Sequence, residues 1–269
     1  MESEKNFLSE YKIENYERPS VTADIVAFMV RNEAEKSYRK NSDNKLSVLL
    51  VKRGCHPFKN QWAVPGGFVK QNETIEECAL REIIEETNVA PSALMPSLVF
   101  SKPDRDPRGR IISNSFISII SEEAVNAVGG DDACDADWFD ISFTQDNNFF
   151  KLLLENSHTK LSALLKEKNH SFGRTYFEII DTGMLAFDHA AIIASALSLL
   201  RIQAKDYDVI FDFLPEKFTL TALQRVQETI LNVSVLPANF RRKISDYVIE
   251  TNEFTVGAGH RPAKLFTRK

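Results

Sequence analysis

The chain has 269 residues, 43% of them hydrophobic and 26% charged, with a net charge of −5. That length suits two domains, and a core of that size forms without a disulfide or metal staple. Cys55, Cys78 and Cys134 are far apart and form no CxxC pair, which argues against a zinc site or disulfide framework and for reduced thiols of a cytoplasmic protein. The charged start at residues 1–5 has no signal core, and no apolar run is long enough to span a membrane, so no membrane partner is expected.

Charge is uneven along the chain. From residue 216 onward nine Lys/Arg face five Asp/Glu, a net +4 that leaves −9 for residues 1–215. An acidic body with a basic tail suggests two jobs, one beside an anionic partner.

Residues 1–17 are polar and expected to be loose. Residues 21–30 and 46–51 are apolar and β-branched, hence strands, with the hydrophilic stretch 31–44 as a hairpin loop. Residues 62–67 enter a Gly-containing turn, with Trp62 expected in the core. A helix over 74–87 and strands at 98–102, 111–120 and roughly 136–141 follow. The stretch 150–168 reads as helical and 174–180 as a strand. Residues 184–202 read as a buried amphipathic helix, which closes the first domain from about Asp188 to Gln203, with His189 structural. Strands alternating with helices indicate an α/β or α+β domain.

The helix at 74–87 carries the chemistry. Thr74 with Glu77 three residues on forms a capping box that starts it. At 100° per residue, Ala79, Leu80, Ile83 and Ile84 share one side and are expected to face a core. Glu82, Glu85 and Glu86 gather on another side, within roughly a 100° arc. Like charges at that spacing repel, and the C-terminal end of a helix disfavours them further. Arg81 can pair with Glu85 or Glu77, but one cation does not neutralise the group. A hard divalent cation would, and oxygen-only donors point to Mg²⁺ or Mn²⁺.

The full spacing, Gly67-x5-Glu73-x7-Arg81-Glu82-Ile83-x-Glu85-Glu86-x-Asn88-Val89, resembles the signature of the Nudix hydrolases. The signature has Gly where this chain has Asn88, a mild departure because Asn also tolerates a left-handed helix cap. The resemblance implies Arg81, Glu82, Glu85 and Glu86 as catalytic residues and Gly67, Glu82, Glu85 and Glu86 as metal site. Many of these enzymes draw the general base from a later loop, for which Glu122, Glu123, Asp131 and Asp132 are candidates.

Further segments resemble a subgroup related to ADP-ribose pyrophosphatases: residues 19–24, 53–58, 105–110, 130–133 before Trp138-Phe139, and 185–190. The resemblance implies ADP-ribose or a similar nucleoside diphosphate sugar as ligand, cleaved to AMP and ribose 5-phosphate. Arg53, Arg105, Arg108 and Arg110 suit its phosphates, while His56 is expected to be a surface histidine.

In the tail, residues 219–232 read as a capped helix. A second helix starts at Pro237, with Phe240, Ile244, Tyr247 and Val248 as its apolar stripe and Asn239, Arg241, Arg242 and Lys243 near its N-terminal half. Residues 250–268 read as a hairpin with Gly257-Ala258-Gly259 at its tip and Arg261 beside it. Helix, turn, basic helix and hairpin are the layout of a winged helix that contacts double-stranded DNA. The tail resembles bacterial Nudix-related transcriptional regulators, in which a Nudix domain senses a metabolite.

The expected architecture is therefore α+β. A Nudix α/β/α sandwich with a mixed sheet spans 1–206, with the box at 67–89. A connection at 207–215 and a small winged helix-turn-helix domain at 216–269 follow. The primary expectation is a diphosphate hydrolase. The alternative is a regulator responsive to ADP-ribose or a sugar phosphate. A homodimer is expected for either role.

Overall fold

The computed structural model describes residues 4–31, 44–128, 136–171, 173–255 and 262–269. An exposed helix α1 (Glu4–Glu10) precedes the sheet, so the leading segment is helical in part but buries none of that helix's residues. The first strands are β1 (Ser20–Arg31), β2 (Lys45–Lys52), β3 (Trp62–Ala63) and β4 (Gly66–Phe68). The box helix is α2 (Ile75–Thr87), followed by β5 (Ala93–Phe100), β6 (Ile111–Ile119) and α3 (Glu122–Val128). Next come β7 (Ala136–Asp146), β8 (Phe149–Glu155), β9 (Lys160–Ser171), β10 (Arg174–Asp181) and α4 (His189–Lys205). The tail holds α5 (Leu220–Leu231), α6 (Pro237–Ile244), β11 (Val248–Phe254) and β12 (Lys264–Arg268).

The large sheet runs β10-β9-β8-β7-β2-β1-β6-β5, with β3 on β2 and β4 on β1. It is mixed: β1 pairs parallel with β6 and antiparallel with β2 and β4. Strand β1 has a partner on each side and is buried on both faces, which explains its near-continuous apolar run. Its side chains alternate between two layers. Ala23, Ile25 and Ala27 meet Cys78, Ala79 and Ile83 of α2. Val26, Phe28 and Val30 join the opposite core, which contains α4. Helix α4 is buried all round from residue 189 to 197, as its alanine- and isoleucine-rich sequence requires.

Three expectations are corrected. The stretch 150–168 is not helical: β8 and β9 form an antiparallel hairpin. Leu152 and Leu154, then Leu161, Ala163 and Leu165, are buried at period two. The Asn156 carboxamide closes the turn by accepting from the His158 and Thr159 amides. On α2 the inner face is Cys78, Ala79 and Ile83, whereas Leu80 and Ile84 are 41% and 38% exposed. The second tail helix ends at Ile244, and Val248 already begins β11. The hairpin loop over residues 32–43 and the wing tip at Gly257-Ala258-Gly259 lie outside the described residues.

The tail is packed against the body that carries the large sheet. Between α4 and α5, Val209, Ile210, Phe211 and Phe213 are buried in a 3-10 turn. They belong to one apolar core that runs from the large sheet through α4 to Leu223, Val226, Ile230, Phe240 and Ile244. Two polar ties reinforce it. Gln227 Nε2 donates to the Ala204 carbonyl at 3.0 Å, and Arg201 Nε donates to the Ile230 carbonyl at 3.1 Å. Among the described residues, no helix is long and apolar enough to cross a membrane.

Candidate functional site

Local chemistry fixes α2. The Thr74 hydroxyl accepts from the Glu77 amide at 3.1 Å, and the Glu77 carboxylate accepts from the Thr74 amide at 2.7 Å. At the other end Asn88 adopts φ 54°, ψ 15° and its amide donates to the Ile84 carbonyl. Asn replaces Gly there at little cost, because its short side chain tolerates the left-handed region.

The loop before α2 is held against it by close approach. A Cβ on Gly66 would lie 2.4 Å from the Ala23 carbonyl oxygen, so no side chain fits without moving backbone. A Cβ on Gly67 would lie 2.0 Å from Glu82 Oε1. Gly67 is therefore the notch into which the Glu82 carboxylate sits.

Arg81 organises the acidic face. It grips Glu73 with two bonds of 3.0 and 2.8 Å, reaches Glu82 at 2.6 Å, and lies 3.4 Å from Glu85. The Arg81 hydrogen bonds pull the Glu73 carboxyl from 4.5 down to about 2. The glutamates raise Arg81 above its ordinary value. Cys78 lies under this cluster, and burial pushes its thiol up to about 11, so it stays protonated and unreactive. Glu73 yields a pH prediction. A carboxyl lowered in the fold stabilises above its unfolded value, and that contribution fades as pH falls from 4.5 towards 2. Arg81→Met should flatten the acid limb of the stability–pH profile in that window, measured by denaturant unfolding. An unchanged limb would show that the pair contributes nothing.

Among the described residues no three His, Cys, Asp or Glu side chains converge as a ready-made metal cage. The donors nevertheless fit a hard cation: they are carboxylates beside the Gly67 notch, and Arg81 is the cation that now balances them. Glu85 is 58% exposed and free to turn, and Glu86 is half-buried on the same helix. Glu122 and Glu123 start α3, while Asp131 and Asp132 lie outside the described residues.

The expected phosphate-binding arginines divide. Arg53 and Arg108 come together, their guanidinium carbons 4.8 and 5.4 Å from the Phe187 ring centre. Arg108 also lies 5.1 Å from the Phe68 ring, next to Gly67 in sequence, and is held by Asp106. Arg110 is exposed and donates to the Ser101 carbonyl. Arg105 is different. Its side chain is only 4% exposed and is clamped by Asp188, with bonds of 2.9 and 2.6 Å, and by Asp24 at 3.3 Å. Ser113 donates to the same Asp24 oxygen.

His189 is structural, as expected. Its Nδ1 accepts from the Val64 amide at 3.0 Å, and burial lowers its pKa, so the ring is neutral with its proton on Nε2. His56 is exposed. Trp62 is half-buried, edge-on to Phe139. The aromatic partners Phe68 and Phe187 and the carboxylates Asp24 and Asp188 had no role assigned from sequence. Asp24, Phe187 and Asp188 lie in the family-like segments at 19–24 and 185–190, and Phe68 lies in the box next to Gly67.

At the other end of the chain, α6 buries Phe240 and Ile244 and exposes Asn239, Arg241, Arg242 and Lys243. The helix is short, so the three cations occupy its last turn and not its start, where the helix dipole favours positive charge. Arg261 lies outside the described residues.

A mixed sheet between two helical layers, a glycine loop leading into a carboxylate helix, and a two-stranded wing beside a basic helix define a Nudix domain joined to a DNA-binding type of winged helix. The NUDIX domain family matches residues 29–151, and the NrtR DNA-binding winged helix domain family matches residues 210–267. A MutT/nudix family protein from Enterococcus faecalis is 32% identical in crystal structure, with a TM-score of 0.72 over 100% of this chain and 94% of that one. The chain belongs to the MutT/nudix family and carries an NrtR-type winged helix at its C-terminal end. The ADPR responsive transcriptional repressor NtrR of Acinetobacter baylyi is 27% identical over 98% of this chain and 88% of its own length. The ADP-ribose pyrophosphatase of Methanocaldococcus jannaschii is 46% identical over 42% of this chain and 62% of its own length.

Proposed function

We propose that this protein is a DNA-binding regulator whose Nudix domain both senses ADP-ribose, or a similar nucleoside diphosphate sugar, and hydrolyses its diphosphate to AMP and ribose 5-phosphate. One observation carries this reading: a Nudix box with every carboxylate in place shares a continuous apolar core with a basic winged helix. The Acinetobacter repressor, alike over nearly the whole chain, supports the sensing half. The Methanocaldococcus pyrophosphatase, alike over the Nudix half, supports the hydrolytic half.

Glu82, Glu85, Glu86 and the Gly67 carbonyl would hold Mg²⁺ or Mn²⁺, which would supply positive charge against the diphosphate and activate water as nucleophile. Arg81, bonded to Glu73, Glu82 and Glu85, sets the carboxylates' orientation. Arg53, Arg108 and Arg110 receive the phosphates, with Phe187 and Phe68 beneath the first two. Arg105 braces the site through Asp24 and Asp188. A carboxylate, Glu85 or one of Glu122, Glu123, Asp131 and Asp132, accepts the proton of the attacking water. Incubation with ADP-ribose and Mg²⁺ should release AMP and ribose 5-phosphate in equal amounts. Absence of AMP release with both Mg²⁺ and Mn²⁺ would refute hydrolysis and leave sensing alone.

On the DNA side, Arg241, Arg242 and Lys243 contact phosphates, Asn239 faces the groove, and Arg261 of the wing reaches the backbone or minor groove. A homodimer in the cytoplasm presents two such helices to two half-sites. Each of Arg241→Ala and Arg242→Ala should weaken binding to DNA from upstream of the protein's own or neighbouring genes. Each should also reduce the slope of log K against log salt by about 0.9. A mobility-shift salt series tests this, and an unchanged slope would remove α6 from the interface.

A further inference from the structure

A cavity of about 920 Å³ lies where the Nudix sheet meets the α4–α5 junction, lined by β7 and β8 residues, Asn44, Arg201 and Thr229. It shares no lining residue with residues 67–89, while Glu122, one of the candidate bases, stands on its wall and is engaged by a partner of its own. Its volume is that of small-molecule sites generally.

The charged groups around it are not evenly matched. Arg31 and Lys45 are both taken by Asp140. Glu155 is paired with Lys160 at 3.0 Å, and Asp137 accepts from Asn156 and from the Trp138 amide. Arg201 has no such counterpart. Its Nε is tied to the Ile230 carbonyl and its guanidinium carbon lies 5.9 Å from the Phe143 ring centre. Among the described residues it makes no ion pair, and Nε is its one donor with a protein hydrogen-bond partner, while the residue lines the cavity. Burial alone acts on its pKa, lowering it, with no carboxylate raising it back. A half-buried guanidinium without an anion is costly unless something fills its donors. The Arg201 wall thus calls for an oxyanion.

We propose that this cavity is a second ligand site, separate from the Nudix box, for a small phosphate monoester. The phosphate engages the terminal nitrogens of Arg201. A guanidinium with four open N–H donors suits the many acceptor oxygens of a phosphate. Because Arg201 also ties α4 to α5, the bound ester braces the joint between the Nudix body and the winged helix. A sugar phosphate and a nucleoside monophosphate share this chemistry, and the site does not depend on hydrolysis at the box.

Calorimetric titration of the full chain with ribose 5-phosphate and with AMP, in EDTA, tests it. At least one of the two should saturate a single site, and which one binds tells whether a base is required. Arg201→Gln should weaken that binding roughly 10- to 100-fold, the loss expected for hydrogen bonds to a charged group. Ser157→Trp, at an exposed position on the rim, should weaken it similarly without disturbing the core. Arg81→Met should leave it intact. The proposal is overturned if neither ester binds, or if gluconate binds in their place. It is also overturned if both cavity variants bind like wild type while melting normally, or if Arg81→Met abolishes binding.

Discussion

Glu82→Gln is expected to lower kcat/KM for ADP-ribose cleavage by roughly 10²- to 10³-fold, the loss seen when one preorganised charge is removed from such a site. The substitution keeps the shape of the side chain and its bond from Arg81, so the fold should not change. Gly67→Ala should reach much of the same loss from the opposite side. Its new Cβ would meet Glu82 Oε1 at 2.0 Å, and the carboxylate, as the far end of a flexible side chain, yields more easily than the loop. Stability should therefore stay close to wild type while the reactive geometry is lost. The two changes act on one contact, so the double variant should be little worse than Glu82→Gln alone. Steady-state kinetics beside a thermal melt decides the matter. Full activity in Gly67→Ala would mean that the Glu82 carboxylate works from a different position.

That contact shows where residue spacing speaks clearly and where it does not. The helix around Glu82 could be read because its ends are chemically marked: Thr74 and Glu77 at the start, Asn88 at the stop. Its carboxylate cluster is electrostatically unfavourable without a cation, and this is visible from offsets alone. The helix's inner face was harder. Periodicity placed Leu80 and Ile84 with Ala79 and Ile83, yet the first pair is exposed. The contact surface is set by Ala23, Ile25 and Ala27 of β1, which α2 cannot announce. Between residues 150 and 168, leucine, lysine and glutamate favour helix by propensity, and pairing of β8 with β7 and β9 overrides it. The period-two burial of Leu152 and Leu154 was the stronger cue. In the tail, residues 245–247 intervene between α6 and β11, so the apolar stripe counted through Tyr247 and Val248 joined two elements into one. Nor could the Arg53–Phe187–Arg108 group be assembled from spacing, since its members come from three separate loops.

The Asp24–Arg105–Asp188 group is the extreme case of that long-range assembly, and Asp188→Ala should expose its cost. Arg105 has almost no contact with solvent, and Asp188 supplies its two shortest bonds. Removal leaves a buried guanidinium facing only Asp24 at 3.3 Å. Breaking one side of a buried pair in this way costs about 3–5 kcal/mol. Asp188 also precedes α4, but its side chain makes no capping bond there, and the backbone carbonyl that accepts from Ala191 and Ile192 survives the substitution. The loss therefore reports the ion pair and not the helix start. Replacing both partners, Arg105→Leu with Asp188→Ala, should recover part of it, because no charge is then stranded. Urea unfolding of wild type, both single variants and the double variant gives the coupling directly. A cost below about 1 kcal/mol for Asp188→Ala would place Arg105 in solvent. The full cost, together with weaker ADP-ribose binding, would make the clamp a positioning element. Asp24 is paired across the sheet with Gly66, so a loosened Arg105 reaches the Nudix loop through a single residue.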